Sequence, residues 1–102
     1  MFGKRSNENS LDVPPMAKES RDAVEVLRVW AAPGQAQQVT LRTTWKDAGA
    51  WGLLLVDVAN HAALAYEAEG HDRNEVIERI RALWDAEWAA PTDTPSNITP
   101  KS

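Results

Sequence analysis

Residues 50–69, AWGLLLVDVANHAALAYEAE, set the terms for any fold this chain can reach. At about 100° per residue of a helix, only Asp57, Asn60, His61 and Glu67 gather into a polar group. Leu54, Val58, Trp51, Leu55, Tyr66 and Val56, with several alanines and Gly52, fill an apolar arc of about 200°. A helix lying on the surface of a soluble protein needs a stripe only a little over about 100° wide. This helix therefore demands cover on two sides, and the chain that must supply it has 102 residues.

Much of that length is unsuited to the task. Residues 1–21 are polar, carry Pro14 and Pro15, and show no period, so they read as a disordered N-terminal arm. Residues 91–102, PTDTPSNITPKS, read as a disordered tail for the same reason. The folding unit is the single domain 22–90, close to the size at which one core is marginal. With no cysteine in the chain, no disulfide can supplement that core.

Within the unit, residues 23–31 (AVEVLRVWA) are rich in valine and stop at Pro33-Gly34, the pattern of a strand followed by a turn. Val24, Val26 and Trp30 hold one parity while Leu27 and Val29 hold the other, so a bulge or cover on both faces is expected. Residues 37–45 alternate, with Val39, Leu41 and Trp45 inward and Gln38, Thr40 and Arg42 outward. The two runs form an antiparallel hairpin. Asp47 is placed to cap the long helix, and Gly70 to end it through a left-handed residue. Asp72 caps a second helix, with Glu75 completing a capping-box pattern. That helix puts Val76, Ile77, Ile80, Leu83, Trp84 and Trp88 on one face.

The expected fold is α+β with the order ββαα, an antiparallel hairpin packed against two helices. Two strands about 4.8 Å apart make a sheet only about 10 Å wide, and two adjacent helices span about twice that. The economical repair is a homodimer in which hairpins pair edge to edge through residues 23–31 into four strands; the alternative is a monomer whose tails fold back and cover the hairpin. Self-association is the first expectation about partners.

The chemistry-bearing residues are few. Asp57 and His61 sit four apart with Asn60 beside them, a spacing that lets a carboxylate orient an imidazole as a general base. No serine nucleophile or second histidine shares that helix, and no metal-ligand spacing joins His61 to His71. Leu53 and Leu64 interrupt the same polar stripe. Leu53, Asp57, Asn60, His61 and Leu64 are therefore read as a surface for a protein partner, with an Asp57–His61 ligand or catalytic site as the alternative. Neither a metal nor a cofactor is expected. The five tryptophans are read chiefly as core, with Trp51, Trp84 and Trp45 inward and Trp30 and Trp88 as the exposed pair. The net charge of −4 disfavours nucleic acid, and Arg28, Arg42, Arg73, Arg79 and Arg81 are interleaved with acids. No Gly-rich phosphate loop or nucleophile elbow occurs. The opening residues lack the apolar run of a signal peptide, and no apolar stretch is long enough to span a bilayer. A cytoplasmic protein is expected.

The segments DAVEVLRVWAA, VTLRTTWKDAGAWGLLLVDVANHAALAY and IRALWDAEWAAPTD resemble a family of small, mostly proteobacterial proteins classed as domain of unknown function 5076. The resemblance spans about residues 22–93. It implies a small cytoplasmic domain with no assigned activity, and it supplies no catalytic or binding residues to carry over.

Overall fold

Four-residue strands and long helices make an uneven pair of halves. The computed structural model describes residues 8–92, in the order α1 (Met16–Glu19), β1 (Leu27–Trp30), β2 (Gln38–Leu41), α2 (Gly49–Ala68) and α3 (Arg73–Ala89). The α+β class, the hairpin and the two following helices agree with the sequence pattern. The single turn α1 is an addition, lying in the segment read as an arm; its residues are exposed. Residues 1–7 and most of the segment read as a tail lie outside the described residues.

The hairpin is antiparallel, with Leu27 opposite Leu41, Arg28 opposite Thr40, Val29 opposite Val39 and Trp30 opposite Gln38. Alternation then places Leu27, Val29, Val39 and Leu41 on one face. One further backbone bond, from Arg42 N–H to the Val26 carbonyl, extends the pairing beyond the strands. Both strands are shorter than their valine-rich and alternating sequences imply.

Between β2 and α2 the chain makes a sharp turn. Thr44 has φ 64°, uncommon for a β-branched residue, and the Trp45 N–H donates to the Thr43 carbonyl at 2.6 Å. A bond spanning two residues around a left-handed centre is a strained γ-turn. The Thr44 hydroxyl donates to the Arg42 carbonyl at 2.9 Å, and Trp51 Nε1 donates to the Thr43 carbonyl at 3.0 Å. The Trp45 and Trp51 rings meet edge to face, 5.8 Å apart. Asp47 Oδ1 accepts from the Gly49 N–H at 2.8 Å, one position ahead of the α2 N-cap, Ala48, which itself makes no side-chain cap bond.

The other end of α2 closes as Gly70 implies. Gly70 has φ 105°; its N–H donates to the Glu67 carbonyl, and the His71 N–H donates to that of Tyr66. This is the Schellman pattern, and its accompanying side-chain contact is the Tyr66–His71 ring pair, 5.3 Å apart. A Cβ at position 70 would meet no atom within 4 Å, so the cost of a side chain is that of the backbone conformation alone. Gly70→Ala is expected to lose about 1–2 kcal/mol, read as a fall in the chemical or thermal midpoint. Asp72 Oδ1 accepts from the Glu75 N–H at 3.0 Å and starts α3.

Helix α3 folds back on α2, and there the packing concentrates. Ala63 of α2 is 0% exposed, and it is the one described residue that is buried outright. Val76, Ile77 and Ile80 of α3 are half-buried. Farther along the same face the cover fades, leaving Leu83 and Trp84 exposed and Trp88 72% exposed. Trp45 is also exposed while Trp30 is half-buried, so the expected ranking of the tryptophans holds for Trp51 and Trp88 but not for Trp30, Trp45 and Trp84. The reason is that no strand Cα lies within 8 Å of a Cα of either helix. The faces that should have closed over these rings are held apart.

Candidate functional site

A helix of 20 residues is about 30 Å long, and α2 divides lengthwise into three sectors. Ala63 marks the sector under α3. Val58, five residues earlier, lies about 140° around the helix from Ala63; together with Leu55 it forms an apolar flank that is open, Val58 being 46% exposed. Leu53, Asp57, Asn60, His61 and Leu64 occupy the remaining sector, and all five are exposed. The structure thus gathers these residues on one strip, with Leu53 75% exposed at its N-terminal end.

Inside the strip the Asp57–His61 pair is loose. His61 Nδ1 lies 2.9 Å from the Asp57 main-chain carbonyl, a distance that fits Nδ1–H donating to it. The Asp57 carboxylate is farther, 3.6 Å from the same nitrogen, and both side chains are about two-thirds or more exposed. The ring is oriented by the backbone before the carboxylate. Among the described residues no group of three His, Cys, Asp or Glu side chains is placed to hold a metal ion.

Elsewhere, Arg28 pairs with Glu25 at 2.8 Å and Arg42 donates to the Glu25 carbonyl at 3.2 Å. The strand arginines are thus turned partly toward their own chain. A shallow cleft beside the α2–α3 turn is lined by Tyr66, His71, Asp72, Glu75 and Arg79; Tyr66 and His71 belong to the Schellman closure, and Asp72 with the Glu75 N–H forms the α3 cap.

Sequence reasoning found the strip and the width of the apolar arc. It missed that Leu83 and Trp84 stay bare in one chain, while the exposure of Trp88 was expected. The signal was present in the spacing of the two halves: a 20-residue helix has more length to cover than a four-residue hairpin can reach.

Fold and site together define a small α+β domain: a short hairpin, a helical pair and exposed apolar side chains, with the polar residues of α2 drawn into one strip. The chain belongs to the family described as Domain of unknown function (DUF5076), which it matches over residues 10–92. It is also similar to a solved structure from the photosynthetic bacterium Rhodopseudomonas palustrus, described as a "putative pyruvate dehydrogenase". That likeness has 34% identity and a TM-score of 0.72, and covers 100% of this chain and 99% of the other. No curated protein matches the chain.

Proposed function

We propose that this protein is a non-enzymatic, self-associating interaction module: a homodimer that presents the strip Leu53, Asp57, Asn60, His61 and Leu64 to a protein partner. The observation that supports it is that one copy buries only Ala63 among its described residues, while large side chains of α2, α3 and the hairpin face outward. Exposed apolar surface on this scale marks an interface. In the dimer, hairpins join through their β1 edges and the sheet gains a second pair of strands. No described helix is long and apolar enough to cross a membrane, and a chain without cysteine suits the reducing cytoplasm.

Sedimentation velocity across a concentration series tests self-association. The expected result is a species of twice the chain mass that dissociates only on strong dilution; a single-chain species at all concentrations overturns the reading. The partner strip is tested separately. Leu53→Ser with Leu64→Ser is expected to abolish retention of a partner that the wild type holds, with sedimentation and helix content unchanged. Retention equal to wild type removes the strip from the proposal.

The enzymatic alternative has less support. Asp57 and His61 lie open to water, whereas acid–base groups work best in a secluded site. Oxidative decarboxylation of a 2-oxo acid needs a cofactor to stabilise the carbanion. The description "putative pyruvate dehydrogenase" belongs to the Rhodopseudomonas protein and brings no site residue to this chain.

A further inference from the structure

We infer that the two copies exchange hairpins: the apolar face of one copy's hairpin seats on the α2 and α3 surfaces of the other copy, and not on its own. This rests on the self-association proposed above and specifies how it is built. Three observations carry it. First, the two surfaces are complementary in kind and separated in space. Val29, 50% exposed, and the half-buried Leu27, Val39 and Leu41 form an aliphatic sheet face, and the exposed Leu55, Val58, Leu83 and Trp84 form a helical one. Yet no strand Cα approaches a helix Cα within 8 Å.

Second, the separation is held in place. The Thr43 carbonyl accepts both the Trp45 N–H and Trp51 Nε1, and Trp45 stands edge-on to Trp51. For the hairpin to swing onto its own helices, Thr44 must leave its φ of 64° and these contacts must break. The connection is a bracket that points the hairpin away.

Third, a second copy supplies the missing cover without any new sequence. Under a twofold axis each copy donates a hairpin face and receives one, so both surfaces close at once. The side chains left open are large: Val58, Leu83 and Trp84 are 46%, 54% and 47% exposed on the helices, and Val29 is 50% exposed on the hairpin.

The test mixes isotope-labelled and unlabelled full-length chains, equilibrates them and records filtered nuclear Overhauser spectra. The expected result is contacts from the methyl groups of Leu27, Val29 and Val39 to Val58, Leu83 or Trp84 that appear between chains and not within one. Contacts found within a single chain, or hairpin methyl groups that contact neither helix, overturn the inference. If the protein sediments as a dimer while those contacts are intrachain, hairpin exchange fails and self-association stands. If it sediments as a single chain, both fail.

Discussion

Ala63→Asp is expected to unfold the protein, or to leave it without a cooperative transition. Ala63 of α2 is wholly buried, and α3, with its half-buried Val76, Ile77 and Ile80, is the one described element packed on α2. Burying a carboxylate in such a contact costs several kcal/mol even after relaxation. Aspartate also gives up about 0.5 kcal/mol of helix propensity relative to alanine. The whole stability of a domain is about 5–15 kcal/mol, and a domain with one fully buried residue per chain belongs at the low end. Helix content by circular dichroism and the denaturant midpoint read the effect. Ala63→Ser is the control, adding one hydroxyl that can bond to the preceding turn, and it is expected to cost no more than about 1–2 kcal/mol. If Ala63→Asp melts within a few degrees of the wild type, the α2–α3 contact is not what holds the chain.

How far such effects could be foreseen depended on whether their cause was local. Gly70 and Asp72 act within a turn of their own positions, and each ends or starts its helix through the bond its residue type offers; Asp47 also bonds locally, but one position ahead of the N-cap. The helices were legible for that reason. The strands were less so. Val24 and Val26 have the composition of a strand, but pairing needs a partner at the same register, and β2 supplies one only for Leu27–Trp30. The tryptophans show a third limit. Trp45 and Trp84 face inward by periodicity, yet periodicity gives a direction and not a neighbour; the separation of hairpin and helices leaves both exposed. At the candidate site, the spacing of Asp57 and His61 was correctly read as one strip. The closer approach of His61 to the backbone carbonyl than to the carboxylate was not readable, because it depends on rotamers.

Val58→Glu is expected to convert the protein to single chains at concentrations where the wild type is dimeric. Val58 is about 140° from the α3-facing Ala63, so a glutamate there disturbs neither the helical pair nor the bonds at either end of α2. Helix content should therefore survive. In a twofold dimer the change occurs twice, placing an unpaired carboxylate in each of two apolar contacts. At about 1.5–2.5 kcal/mol per site after partial rehydration, the dissociation constant rises by at least a hundredfold, since 1.4 kcal/mol is tenfold. Leu53→Glu is the informative comparison. Leu53 is more exposed than Val58 in one chain, 75% against 46%, so an argument from exposure alone predicts that it should matter more. The sector argument predicts the opposite: Leu53 belongs to the partner strip, and its charge should leave sedimentation unchanged. Equal dissociation by both variants shows that the strip and the flank are one surface. Loss of the dimer in Val58→Glu alone assigns the two faces of α2 to separate tasks, one toward a second copy and one outward.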